Sequence, residues 1–69
     1  MEKIKNLPSS WIDASFGGVH VYHAKDLAIY VNDNCVEVHD LNISLSKESF
    51  LLRSDNWKNV FSFVEERVA

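Results

Sequence analysis

The chain ends in the segment SDNWKNVFSFVEERV, residues 54–68, and this segment decides the fold. Its apolar residues recur at intervals of three and four, which places them on one narrow stripe of an α-helix. They are Trp57, Val60, Phe61, Val64 and Val68. Ser54 or Asp55 is the predicted N-cap, because short polar side chains accept hydrogen bonds from the first N–H groups of a helix. The pattern predicts one amphipathic C-terminal helix, with Trp57 and Phe61 as core anchors.

The stretch before the helix, residues 18–52, alternates between apolar and polar residues in the manner of β-strands. A looser alternation precedes it, and clusters of Gly, Asn, Asp and Lys separate the runs as turns. The predicted strands are residues 11–16, 19–23, 27–31, 35–39, 43–46 and 50–53. We therefore expect an α+β fold, an antiparallel sheet of four or five strands packed against one C-terminal helix. Residues 1–10 are predicted to form an N-terminal arm, and residues 11–69 a single domain.

The composition restricts what stabilises the chain and what it binds. A chain of 69 residues buries roughly 60% of its unfolded surface, and its one cysteine, Cys35, cannot form an intramolecular disulfide. Stability must come from packing, for which 46% hydrophobic residues provide the material. The net charge is −3 and the basic residues are scattered, which argues against direct binding of nucleic acid.

The sequence also predicts where the protein works. No apolar run approaches the ~20 residues of a membrane span. The segment Met1–Lys5 lacks the apolar core of a signal peptide. With a single cysteine, these features lead us to expect a cytoplasmic protein that does not bind a membrane.

Alternation assigns the predicted strands two faces. The face under the helix is expected to hold Val19, Val21, Leu27, Ile29, Val31, Val36 and Val38. The opposite face is expected to hold His20, Tyr22, Tyr30, Cys35, Glu37 and His39. The Tyr and His residues on this face indicate one of two things. They form a contact surface for a partner, because Tyr combines a large contact area with a polar hydroxyl, or they are present only because they form strands well. The residues predicted to bind a partner are His20, Tyr22, Tyr30, Glu37, His39 and Phe63.

Phe63 lies about 100° from the centre of the helix stripe. It is expected either to be partly exposed, as part of a docking patch, or to cover the flank of the sheet.

The sequence does not indicate catalysis or a cofactor. His20 and His23 are three apart and point to opposite faces of a strand, so they cannot share one metal ion without a bend. Cys35 and His39 are separated by about 13 Å along a strand, too far for a nucleophile–base hydrogen bond. The pair Gly17-Gly18 does not form a phosphate-binding loop. We therefore expect no catalytic residue, no metal and no cofactor.

Several segments resemble a family of small acidic actinobacterial proteins whose domain has no assigned function. Residues 11–18, WIDASFGG, are similar to the family's W-x-x-S-S-[FY]-S-G-G, and residues 34–38, NCVEV, match its N-C-V-E-V strand. Residues 44–47 occupy the place of its R-D-S-K segment, and Phe50, Leu51 and Leu52 with Trp57 and Phe61 resemble its closing helix entry. The family includes developmental regulators and proteins paired with helix-turn-helix transcription factors. The resemblance implies a transcription regulator as partner.

These observations together predict a non-enzymatic protein-interaction module, a regulator or inhibitor of a transcription regulator, toxin or defence enzyme. The alternative is a small-molecule binder or minor enzyme subunit that uses the Tyr/His face. A pocket lined by His20, Tyr22 and His39 would favour the alternative. We also expect a homodimer, because a small open sheet has two edges and apolar surface that one helix cannot cover.

Overall fold

The computed structural model describes residue 4, residues 6–43 and residues 48–68. Within these residues, five strands form one antiparallel sheet and are followed by one helix. The elements are β1 (Trp11–Asp13), β2 (His20–Ala24), β3 (Leu27–Val31), β4 (Val36–Asp40), β5 (Phe50–Ser54) and α1 (Trp57–Val68). The expected α+β class is confirmed. The strand predicted at 43–46 lies outside the described residues except for Ile43, which is not in a strand.

The first hairpin is closed by a two-residue turn. Phe16 and Val19 exchange both backbone hydrogen bonds, at 3.0 and 2.8 Å. Gly17 and Gly18 between them have φ values of 52° and 82°. Two consecutive positive φ values define the type I′ turn, whose twist matches that of paired strands and which favours glycine. This turn fixes the register of β1 against β2.

That register overturns the expected faces of β2. Trp11 lies opposite Ala24, and its ring packs 5.4 Å from the ring of Phe61 on the helix. Alternate residues of a strand share a face, so Tyr22 also points towards the helix, where it is 1% exposed. Val21 lies on the opposite face. The prediction of Val21 inward and Tyr22 outward is wrong, because the register pairs Trp11 with Ala24 and Asp13 with Tyr22, which puts Tyr22 on the face of the Trp11 ring.

The core lies between the sheet and α1. The helix contributes Val60 and Val64, both buried. The sheet contributes Leu27, Ile29, Val36 and Val38, all as predicted, together with Trp11, Tyr22 and Ala24. Trp57 and Phe61 are half-buried and stack at 5.8 Å beside Trp11. Phe63 is also half-buried and packs against this core, while part of its side chain stays exposed.

The helix is capped by Asn56, one residue after Asp55 and two after Ser54, the two predicted caps. The side-chain Oδ1 of Asn56 accepts a hydrogen bond from the backbone N–H of Lys58 at 2.9 Å. Asn56 is therefore the N-cap. Ser54 supports it from outside the helix, since its Oγ accepts the backbone N–H of Asn56 at 3.1 Å.

A β-bulge interrupts the pairing of β4 with β5. The register shifts between Val38 and His39, so Leu52 lies opposite Val38 while Phe50 lies opposite His39. Leu51 is the extra residue on β5. A bulge of this kind re-aims a side chain, and here it brings the Phe50 ring beside His39 on the face away from the helix.

We predict that Phe61→Ala destabilises the domain by about 2–4 kcal/mol, somewhat less than a fully buried Phe, because the side chain is only partly buried against the core. Phe16→Ala removes the same ring from an exposed turn and should change stability by no more than about 0.5 kcal/mol. Urea unfolding followed by circular dichroism measures both variants. Equal losses in the two variants would contradict the assignment of the aromatic cluster.

Candidate functional site

The face of the sheet that points away from α1 is not covered by any element of the described chain. We call it the open face and define it by two rows of residues that the strand pairing brings side by side. The first row crosses all five strands and consists of Ile12, His23, Ala28, His39 and Phe50. The second row consists of Val21, Tyr30, Glu37 and Arg53.

The structure brings three of the predicted binding residues together on the open face. Tyr30, Glu37 and His39 are neighbours there, and the rings of Tyr30 and His39 meet edge to face at 5.4 Å. His20 is exposed but pairs with Val31, on the helix side of the sheet.

The other two predicted residues are not on the open face either. Tyr22 is buried in the core, and Phe63 lies on the helix flank. Tyr22 is therefore corrected from a surface residue to a core residue.

His39 is held in one orientation from four sides. Its Nδ1 lies 2.9 Å from Ser49 Oγ, and its Nε2 lies 3.1 Å from Glu37 Oε1. A carboxylate only accepts, so Nε2 donates to Glu37, and in the neutral ring Nδ1 accepts from the Ser49 hydroxyl. The rings of Tyr30 and Phe50 contact its edges at 5.4 and 5.7 Å. This half of the open face is consequently rigid.

Glu37 is the centre of the polar contacts. While Oε1 accepts from His39, Oε2 accepts from Arg53 at 3.3 Å and from the Asn32 side chain at 3.3 Å. Three donors satisfy the carboxylate within the chain. The one acidic group on the open face is thereby neutralised by its own neighbours.

The order Ser49–His39–Glu37 resembles the hydrogen-bonded series of an acyl-transfer site, in which a serine attacks the substrate. The side chain of Ser49 is 0% exposed, so a substrate has no approach to its Oγ. We interpret the series as support for the His39 ring.

No group of three or more potential metal ligands occurs within the described residues. Cys35 is a free, half-buried thiol in that part of the chain.

The tip of the first hairpin is a second exposed feature. Phe16 is 69% exposed, and Val19, which was predicted to face inward, is 43% exposed. The Ser15 Oγ accepts the backbone N–H of Val21 at 3.2 Å, so a side chain replaces a strand carbonyl just below the tip. Residues 14–24 contain no Asp, Glu, Lys or Arg, although 25% of the whole chain is charged. The tip is thus rigid, apolar and uncharged.

Sequence reasoning missed several of these residues, but part of the signal was present. The Gly17-Gly18 pair could have indicated the I′ turn, and with it the outward position of Phe16. The pairing of Phe50 with His39 had no such signal, because the bulge that creates it breaks the alternation.

The pocket that would favour small-molecule binding is not formed. His39 lies on the open face, whereas His20 and Tyr22 lie on the helix side of the sheet. A shallow depression of about 250 Å³ lies elsewhere, at the β2–β3 turn, and is lined by Ser10, Ala24, Lys25 and Val68. None of the predicted binding residues reaches it.

Comparison with known proteins adds no relative to this picture. No protein-family model, no curated protein and no solved structure matches the chain. None of the helices in the described part of the chain is long and apolar enough to cross a membrane.

We predict that Ser49→Ala destabilises the domain by about 1–3 kcal/mol, because it leaves the buried Nδ1 of His39 without its partner. Ser62→Ala, an exposed position on α1, is the matched control and should be nearly neutral. Thermal unfolding at neutral pH measures the difference. If Ser49→Ala lost no more stability than Ser62→Ala, the supporting role of Ser49 would be refuted.

We also predict a stability loss at alkaline pH that depends on Tyr22. Burial, and secondarily the Asp13 carboxylate, raise the pKa of the Tyr22 phenol above its ordinary value of 10.0. As the pH rises past this value, the unfolded chain releases the proton before the folded one does. The neutral, buried phenol of Tyr22 therefore contributes its full stabilisation to the folded state below the ordinary pKa. This stabilisation is lost as the pH rises above that value.

Tyr22→Phe should remove this component of the alkaline loss. Since no hydrogen-bond partner for the buried Tyr22 hydroxyl occurs among the described residues, the variant should also gain about 1 kcal/mol at neutral pH. Urea unfolding at a series of pH values tests both effects, with Tyr30→Phe on the opposite face as the control. Parallel pH curves for wild type and Tyr22→Phe would contradict the prediction.

Proposed function

We propose that the protein is a non-enzymatic, cytoplasmic protein-interaction module that regulates or inhibits a protein partner, and that the hairpin tip is its contact. The partner class is a transcription regulator, toxin or defence enzyme. The observation that carries the proposal is the exposed Phe16 on a rigid, uncharged turn.

The physical basis is preorganisation. An aromatic side chain contributes a large contact area, and binding is tightest where that side chain does not have to be ordered first. The I′ turn and the Ser15 hydrogen bond already fix the backbone below Phe16. The absence of charged side chains from residues 14–24 lets this segment enter an apolar cleft without desolvating an ion.

The charge of the rest of the chain supports a basic partner. A net charge of −3 attracts surfaces rich in Lys and Arg, which nucleic-acid-binding regulators present. The resemblance of the N-terminal and NCVEV segments to proteins paired with helix-turn-helix regulators agrees with this partner class.

Affinity capture from the native host, read by quantitative mass spectrometry, tests the proposal. The baits are the wild type, Phe16→Ser and Leu41→Ser, the last removing an apolar residue of 42% exposure from a different loop. We expect a protein that is retained by the wild type and Leu41→Ser and lost with Phe16→Ser. The purified pair should then show at least about a tenfold weaker affinity for Phe16→Ser.

A capture profile that is identical for all three baits would contradict the role of the hairpin tip. The folded state of each bait is checked by circular dichroism, so that loss of a partner is not confused with unfolding.

A further inference from the structure

We infer that the partner receives the hairpin tip with a basic amphipathic helix: the apolar stripe of this helix lies along the outer side of the first hairpin, and its cations face Asp33. The inference rests on the proposed function, because it specifies what that contact recognises. Three features of the hairpin support it: an exposed apolar strip, an edge whose N–H groups are already used, and an exposed carboxylate beside the tip.

The apolar strip runs along the hairpin on the side of the open face. The register pairs Ile12 with His23, and alternate residues of a strand share a face, so Ala14 and Phe16 lie on the same side as Ile12. Val19 pairs with Phe16 across the turn and joins them. Ile12, Phe16 and Val19 are 67%, 69% and 43% exposed. We call these three residues the outer strip.

The outer strip has the length of two helical turns. Ile12 and Phe16 are four strand residues apart, which corresponds to about 13 Å. Helix positions i and i+7 or i+8 are about 10.5–12 Å apart and lie on one face, so one helix contacts both side chains. The opposite side of the same hairpin already packs in this way, with Trp11 against Phe61 of α1.

The area of the outer strip is too small for a second copy of this chain to be its occupant. The exposed parts of the three side chains sum to roughly 300–400 Å², given about 150–250 Å² for a whole aromatic side chain and less for an aliphatic one. A stable interface between two globular chains buries ~800 Å² on each partner. A single helix matches the smaller area, because it contacts the strip with only a few side chains.

The backbone at the edge of β1 disfavours the addition of a strand. Ala14 donates its N–H to β2, so the N–H groups of Trp11 and Ser15 point away from β2. Trp11 N–H already donates to Pro8 O at 3.0 Å. Ser15 N–H donates to Asp13 Oδ1, also at 3.0 Å. An extended peptide would have to displace both bonds, whereas a helix satisfies its own backbone and needs only side-chain contacts.

Asp33 lies beside the hairpin tip. The register sets His20 opposite Val31, so the turn before β2 and the turn after β3 close at the same end of the sheet. Neighbouring strands lie about 4.8 Å apart, and a helix on the tip therefore has Asp33 next to its flank. Asp33 is exposed and makes no hydrogen bond or ion pair within the described residues.

Few cations lie near Asp33 along the chain. Residues 6–46 contain a single Lys or Arg, which is Lys25. Lys25 lies in the turn between β2 and β3, at the opposite end of the sheet from the tip. A Lys or Arg on the flank of a partner helix complements the Asp33 carboxylate, whereas a second acidic chain is repelled by it.

Titration of the ¹⁵N-labelled full chain with two peptides, followed by NMR, tests the inference. Both peptides have about 14 residues, long enough for a helix to form, with Leu at intervals of three and four. The remaining positions are Lys in one peptide and Glu in the other. We expect the Lys peptide to shift the amide signals of residues 12–19 and of Asp33, and to bind at least about tenfold more tightly than the Glu peptide.

Two pairs of variants locate the contact. Asp33→Asn and Glu66→Gln each remove one exposed carboxylate, and Glu66 lies in the last turn of α1. Asp33→Asn should weaken binding of the Lys peptide about two- to fivefold, and Glu66→Gln should leave it within about 1.5-fold. Ile12→Ser should weaken it by about fivefold or more, whereas Leu41→Ser, a similar loss outside the strip, should not.

Equal binding of the two peptides, no binding of the Lys peptide up to millimolar concentration, or equal effects of Asp33→Asn and Glu66→Gln would overturn the inference. The proposed function would still stand in that case if Phe16→Ser loses the host partner. Host capture that is insensitive to Phe16→Ser, together with the expected peptide binding, would instead refute the proposed function.

Discussion

The structure depends on the register that the Gly17-Gly18 turn imposes on the first two strands. A two-residue I′ turn permits one pairing, and in a sheet a shift of one residue exchanges every side chain between the faces. Here the permitted pairing sets Trp11 beside Ala24 and sends its ring to the helix. The content of both faces follows from this choice, including the burial of Tyr22 and the outward position of Val21.

The sequence was sufficient for the parts of the fold that depend on periodicity. The three-and-four spacing of apolar residues from Trp57 to Val68 correctly predicted the helix. Alternation correctly predicted the inward residues of β3 and β4. In β2 both alternations contain apolar residues, so pattern alone cannot choose between Val21 and Tyr22. The choice is made by the register of the β1–β2 hairpin, which the Gly17-Gly18 turn sets and which the pattern of β2 alone does not contain.

The candidate site was less predictable for a related reason. Tyr30, Glu37 and His39 were identified from their residue types and do lie together. Their fixed geometry, however, comes from Ser49 in the loop before β5 and from Phe50 across a bulge. Neither residue has a signature in the sequence, because a bulge is defined by the strand opposite it.

The open face and the hairpin tip differ in character. The open face is broad and carries hydrogen-bonded side chains, whereas the hairpin tip is narrow and uncharged.

The order of the strands in the sheet, β1 to β5, is the same as their order along the chain. Every strand therefore pairs with its nearest neighbours in sequence, and the connections, from two residues between β2 and β3 to nine between β4 and β5, close at small entropic cost. The contact of Trp11 with Phe61 is different, since these residues are about 50 positions apart. Domains dominated by local pairings cross their folding barrier quickly. In this chain the docking of the helix onto Trp11 is the long-range contact that encloses the core and joins the end of the chain to the first strand.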